Sequence, residues 1–478
     1  MPYQLLQGAV GDHRGRAWLR LNLHRGKLLM TDRMTDTVNM EPASISACPV
    51  AADLGAELFA AGSQENWFES YKVLHDEAPI ARIPGKGWLP GTDAFIVSKF
   101  EDIASITRDP RFFDLMPEDV SAAASAGSSK IENEIFREEG FGEAADARQT
   151  LRPTVEQHKR YRMQLWDPWV GPEGAEQHRE MVTAAANDLI DRWIDDGEVE
   201  FVTQFAAPLP QTVITTILGF PLQDMPTLKK YEEAQVRRFV FGDGPRNELP
   251  DDVERENAAV LVDFHRYIQS QVDEKRQNPK EDMVSFLTQV EYEGRKLSDG
   301  EIISIAVLMH IGGNETTQYA LTSEALLLAQ RPDLAQELRA DPSKTRFFVE
   351  EALRLYAPTQ GGAGGRYVPE DMEIRGVHIP KGSLLHLRFG AGNRDADLCP
   401  APEELRLDRK NPGRHLTFSM GPRNCPGQGI SRLEQNIATQ VLVDRLDNIR
   451  FAPGKNDFTH QPGIMLGLYN LHLEFDKR

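Results

Sequence analysis

Cysteine is scarce in this chain: its 478 residues include only Cys48, Cys399 and Cys425, odd in number and far apart. A disulfide framework is thereby excluded, and a reducing cytoplasm fits. No apolar run approaches the roughly 18 residues that a membrane span needs. Basic residues are also in short supply, 54 Lys and Arg against 73 Asp and Glu, which leaves a formal charge of -19. Such a surface argues against nucleic acid as a partner and for solubility.

The length would allow two or three ordinary domains, but the motifs below are spread across most of the chain and read as one unit. The first fifty residues stand apart. Arg14, Arg16, Arg20, Arg25, Lys27 and Arg33 meet only Asp12 and Asp32 over the first stretch. This leader reads as a disordered extension of residues 1–50, an organelle transit peptide or an upstream start, ahead of a folded domain over 51–478.

From Asn66 the pattern turns globular. NWFESYKVLHDEA has helical spacing, Ala94 to Lys99 reads as a strand, and FEDIASITRDP as a short helix stopped by Pro110. A series of helices between Gly/Pro/Asp punctuation fills residues 173–290. Ser298 to Glu301 forms a capping box that opens a helix running to Gln330. Gly312, Gly313, Asn314, Glu315, Thr316 and Thr317 interrupt its middle, where each glycine costs roughly a kcal/mol relative to alanine. Small residues there admit a flat ring or a diatomic ligand, or simply a close helix contact, and a threonine hydroxyl can bend the helix. Glu351 and Arg354 share a helix face in an apolar segment. Residues Met372 to Phe389 alternate like strands with turns at Gly376 and Lys381-Gly382, and GIMLGLYNLHLEF near the C-terminus reads as a hairpin.

Phe418 to Gly427, FSMGPRNCPG, sets a lone cysteine among glycines and prolines at the mouth of a helix. Helix-start amides and the helix dipole favour a thiolate, and glycine lets the backbone approach a flat ligand. The alternative is a buried free cysteine beside a turn. The spacing F-x-x-G-x-R-x-C-x-G arises by chance on the order of once in ten thousand chains of this length.

With these residues the sequence resembles the cytochrome P-450 family of heme-thiolate monooxygenases, of the soluble bacterial type, over roughly residues 60–478. The resemblance implies a mainly α fold with a small β-rich subdomain, and heme b bound through Cys425 as the axial iron ligand. It implies His158, Arg162, Arg366, His415 and Arg423 as donors to the heme propionates, for which arginine's bidentate geometry is suited. Glu315 then relays protons to bound oxygen and Thr316 hydrogen-bonds the oxygen ligand. Glu351 and Arg354 fall to folding and heme retention. The pocket walls are expected from Phe112, Phe113, Leu115, Met116, Leu308, Ile311, Gly312, Gly362, Gly364, Ile464 and Met465, with plain core packing the alternative for several. The near-absence of side chains over Gly361 to Gly365 implies a pocket wide on that side.

The expected reaction inserts one atom of O2 into a C–H bond of an apolar substrate, terpenoid, alkyl-aromatic or steroid-like, by hydroxylation or O-dealkylation. Electrons would come from a ferredoxin-type donor and its reductase, the donor docking on the basic segment of Arg406, Arg409, Lys410, Arg414, Arg423 and Arg432. The enzyme is expected to be a cytoplasmic monomer. A peroxide-using heme-thiolate enzyme and a non-catalytic heme sensor remain as rival readings.

Overall fold

The computed structural model describes residues 55–60, 62–113, 128–242, 244–246, 248–361 and 365–478. The expectations for residues 1–50 and for Leu115, Met116, Gly362 and Gly364 lie outside the described residues. Helix α1 (Trp67–Glu77) buries Trp67, Tyr71 and Leu74, the face that three- and four-residue spacing brings together. β1 (Ile80–Ile83) and β2 (Ala94–Val97) pair antiparallel. β2 stops before Lys99, because that residue already caps α2 (Phe100–Arg108).

Three helices precede the expected series, two of them in a stretch with no helical reading beforehand: α3 (Ser128–Glu138), α4 (Gly142–Leu151) and α5 (Val155–Tyr161), which widens into a π turn over Arg162–Trp166. Then come α6 (Arg179–Asp191), β3 (Glu198–Glu200), α7 (Pro208–Leu218), α8 (Met225–Phe241), α9 (Asp251–Gln277) and α10 (Met283–Gln289).

The long central helix is two helices. The capping box of Ser298 and Glu301 starts α11 (Asp299–Gly313), the chain breaks at Asn314 with φ -111° and ψ -82°, and α12 (Glu315–Gln330) continues. The break falls where glycine weakens the ladder and Thr316 offers its own hydroxyl to the Gly312 carbonyl at 2.9 Å. Every residue from Thr317 to Ala329 is buried, so α12 runs through the middle of the molecule.

After α13 (Pro332–Ala340) and α14 (Thr345–Leu355), β4 (Arg366–Tyr367) and β5 (Leu384–Leu387) complete a four-stranded sheet in the order β1-β2-β5-β4. The turn at Arg375-Gly376 has positive φ at both residues, 52° and 78°, as a tight hairpin requires. α15 (Gln428–Arg445) leads into β6 (Leu446–Phe451), which pairs with β7 (His472–Lys477) and through it with β3. The C-terminal segment is therefore not a hairpin on itself; its last strand finds partners distant in sequence.

Candidate functional site

The cysteine loop is held from both ends. Cys425 N donates to the Phe418 carbonyl at 2.8 Å, closing the loop, and Gly421 takes a φ of +71° against the end of α2. A Cβ at Gly421 would fall well inside contact distance of the Thr107 carbonyl oxygen, so only glycine fits. The sulfur lies three residues before α15, with the amides of Gly427 and Gln428 turned toward it. Burial nonetheless pushes the Cys425 thiol above its ordinary value, against the pull of those amides and of Arg162 and Arg432.

Above this loop an otherwise apolar helix has an open face. Leu308 is 36% exposed, Gly312 is exposed, and Ile311 and Thr316 are half-buried. Leu308 and Gly312 fall at i and i+4 of α11, and across the break Thr316 is tied back to Gly312 by its hydroxyl. A Cβ built on Gly312 would meet nothing within 4 Å. Every residue from Thr417 to Gly429 is likewise half-buried, and Thr317 Oγ1 lies 3.3 Å from Ser431 Oγ, which seats the first turn of α12 on that of α15. The open face and the cysteine loop are thus neighbours.

Beside them is a cationic corner. His158 is 3% exposed and its Nδ1 has no partner, nor has Arg162 Nε. Arg162 Nη1 donates to the Asn424 carbonyl at 2.9 Å and Nη2 reaches Asp167 at 3.4 Å. The Arg423 guanidinium lies 4.1 Å from the Phe113 ring centre, and that ring meets His158 at 5.5 Å. Arg152 stacks on Tyr161 and Trp166 at 5.0 and 4.9 Å. Burial, then Arg152, Arg423 and Arg162, push His158 down to about 3, so it is neutral at physiological pH. Bare buried donors in a field of arginines are what a carboxylate-bearing ligand requires. Such a corner would suit the carboxylate edge of a heme held through Cys425. Arg366 is buried in β4 with Nη1 on the Gly365 carbonyl at 3.1 Å.

Glu315 opens α12 at 6% exposure with Oε2 unpartnered. Burial first, then the charge of Glu232, raise its carboxyl to about 7, against Lys229 and a hydrogen bond with Tyr319. It is a buried acid able to hold or release a proton near neutrality.

Other expected site residues have partners within the protein. His415 is engaged at both ring nitrogens, Nε2 with Glu350 Oε2 at 2.8 Å and Nδ1 with the Thr417 amide at 3.3 Å, so no nitrogen is left for a propionate. Phe112 packs into the core with Phe95, Ile103 and Leu385. Ile464 and Met465 are buried in a turn whose backbone bonds Phe239 at 3.0 Å and Gln360 at 3.1 Å.

The basic segment is largely neutralised within the protein. Arg406 pairs with Asp408, Arg414 with Glu101, and Arg432 with Glu350 at 2.6 Å. Arg409 joins the buried Glu351–Arg354 pair, its Nε 2.8 Å from Glu351 Oε2, while Arg354 also donates to the carbonyls of Asn393 and Glu404. Arg152, Asn424, Glu350 and Glu232 were not anticipated, since no local spacing marks them.

The family profile described as Cytochrome P450 matches residues 115–467. The chain is 28% identical over 413 residues to the polyketide biosynthesis cytochrome P450 PksS of Bacillus subtilis, covering 86% of this chain and 96% of that protein. It is 26% identical over 397 residues to the mycinamicin IV hydroxylase/epoxidase of Micromonospora griseorubida, covering 83% and 92%. Among solved structures, P450BioI in complex with hexadec-9Z-enoic acid ligated acyl carrier protein superposes with a TM-score of 0.71 at 25% identity, over 86% of this chain and 99% of that one.

Proposed function

The chain belongs to the cytochrome P450 family, a heme b monooxygenase, and from that premise we propose that it inserts one atom of O2 into a C–H bond of an apolar organic molecule. The observation that carries this is the open face of α11, apolar at Leu308, Ile311 and Gly312, continued by the polar Thr316 in the first turn of α12, beside the Cys425 loop.

Cys425 would hold the iron, and His158, Arg162, Arg423 and Arg366 the carboxylates of the macrocycle. When bound, the heme supplies the activation of O2 that protein groups cannot. Leu308 and Ile311 orient the substrate by apolar contact and exclude water from it. Gly312 leaves the space a flat or branched skeleton needs. Glu315 holds a proton at its carboxyl and delivers it into the pocket, and the Thr316 hydroxyl, on the same open face, can reorient toward that space.

The substrate class is terpenoid, alkyl-aromatic or steroid-like. The names of the relatives, polyketide biosynthesis and a hydroxylase/epoxidase, extend the range to polyketides and support hydroxylation. Electrons come from a separate ferredoxin-type donor and its reductase. A hollow of about 290 Å³ lined by the cysteine loop, Arg108 and Arg432, and by no residue of α11, is where that donor would sit. Among the described residues no helix is long and apolar enough to cross a membrane.

The test begins with the reduced CO complex, whose red-shifted Soret band reports thiolate ligation and is lost in Cys425→Ser. A compound library is then read by the low-to-high-spin shift, and hits are turned over with a ferredoxin system. Product from peroxide alone, with none from O2 and electrons, would replace this reading by the peroxide-using one; spin shifts without any product would make the protein a binder.

A further inference from the structure

Leu385 and Leu387 of β5 face the core shared with α2, so strand alternation sends His386 and Arg388 to the other side, against α1. There Arg388 is a fully buried guanidinium. Its Nε donates to the Tyr71 hydroxyl at 2.9 Å, while Nη1 and Nη2 have no partner. Burial holds Tyr71 above its ordinary value, so it is a neutral phenol, and it gives its own hydrogen to Gln360 Oε1 at 2.7 Å. The carboxylates that follow in the chain are engaged elsewhere, Asp395 with Lys99 at 3.0 Å and Glu403 with Arg394. Arginine stays charged when buried, and a buried charge left without a counter-charge is strongly destabilising.

His386 is 1% exposed and neither of its ring nitrogens is partnered. Burial, then Arg388, push it down to about 3, so it is neutral and has one N–H to give. Aromatic rings line the pair. The Arg388 guanidinium lies 4.2 Å from the Trp67 ring centre and 5.4 Å from that of Tyr71, and Phe59 meets His386 edge-on at 4.8 Å. Rings take the faces of a guanidinium and leave its Nη edge, where hydrogen bonds form. On its far side His386 backs onto Gly361, where a Cβ would fall 2.2 Å from Cε1 and 2.8 Å from Nε2.

We propose that Arg388 and His386 form a carboxylate subsite of the substrate pocket, and that the substrate is an apolar monocarboxylic acid. The inference rests on the reading of this chain as an oxygenase of apolar molecules, with the segment that begins at Gly361 as a wall of its pocket. A carboxylate meets the two Nη groups as a bidentate fork, and the His386 N–H supplies a further hydrogen bond. The charge also matches, since one guanidinium beside a neutral imidazole balances one negative charge and not the two of a phosphate. With its acid end held behind Gly361, the skeleton is left to the open face of α11.

The experiment compares decanoate with 1-decanol, and 4-butylbenzoate with 4-butylbenzyl alcohol, on the heme-loaded full chain at pH 7, by spin shift and by calorimetry. Wild type should bind at least one acid about ten- to a hundredfold more tightly than its alcohol, the range for hydrogen bonds to a charged group. Arg388→Gln should remove that preference and leave alcohol affinity within a few fold.

No preference for either acid in wild type, or a preference that survives in Arg388→Gln, overturns the subsite. If Arg388→Gln fails to fold, His386→Leu locates the acid: its preference should fall severalfold, and an unchanged one overturns the pair. Formate is the third arm. A rise in melting temperature that Arg388→Gln abolishes, without preference for either larger acid, would confine the site to small free anions and overturn the substrate assignment. Acid binding by calorimetry that is lost in Arg388→Gln, with no compound shifting the spin state, would instead overturn the pocket reading on which the subsite rests.

Discussion

The Thr316 hydroxyl donates to the Gly312 carbonyl at 2.9 Å, bridging the one break in the central helix at the spot where that helix is open to the pocket. The hydroxyl has one hydrogen to give, so donating it to a pocket ligand would mean releasing the carbonyl. Thr316→Val keeps the shape and removes the donor. Its melting temperature should stay within a few degrees of wild type, while product per electron pair falls on the order of tenfold to a hundredfold. Thr316→Ser should retain most of the coupling, as measured by product against reductant consumed.

The cationic corner and His415 make opposite predictions for cofactor retention. Arg162→Ala or Arg423→Ala removes a charge-assisted contact and should speed heme loss about tenfold or more, read as transfer to an acceptor globin. His415→Ala should leave that rate near wild type, because its imidazole is committed to Glu350.

Glu350 should report on acid stability. Burial works against its anion, yet His415 and Arg432 hold its carboxyl from the ordinary 4.5 down to about 2. A carboxylate whose folded value is depressed stabilises the fold above its unfolded value, and that contribution fades as pH drops from 4.5 toward 2. Glu350→Gln should therefore lower stability near pH 7 by roughly 3 kcal/mol at most, with the gap to wild type closing in acid. Denaturant melts across that range measure it.

Removing one member of the Glu351, Arg354 and Arg409 cluster strands buried charge. Glu351→Ala should cost about 3–5 kcal/mol and yield protein with little heme, judged by the ratio of Soret to protein absorbance. Arg409→Ala leaves Arg354 to partner Glu351 and should cost less.

What could be read from the chain beforehand was whatever is encoded locally. The capping box of Ser298, the stop of α2 at Asp109 and the cysteine loop each depend on residues a few positions apart, and each was legible. Pairings across tens to hundreds of residues were not. Glu350 with His415 and Arg432, Arg409 with Glu351, and the last strand with β6 and β3 are fixed by how the helices stack, which no spacing announces. The helix over GGNETT misled in another way: composition showed a weak point, but whether glycine bends a helix or breaks it depends on what the neighbours press against it. Phe112 and Phe113 are adjacent and alike, and only packing sends one to the core and the other to the arginines.

The arginines after Arg406 look from their spacing like a docking patch, yet most are already committed to Asp408, Glu351, Glu101 and Glu350. A donor approaching the cysteine loop would meet charge that is mostly paired, so its association should depend largely on fit to the hollow around Phe418 and Met420. Electron supply to this enzyme would then tolerate high ionic strength, where a partnership built on opposite charges would slow steeply.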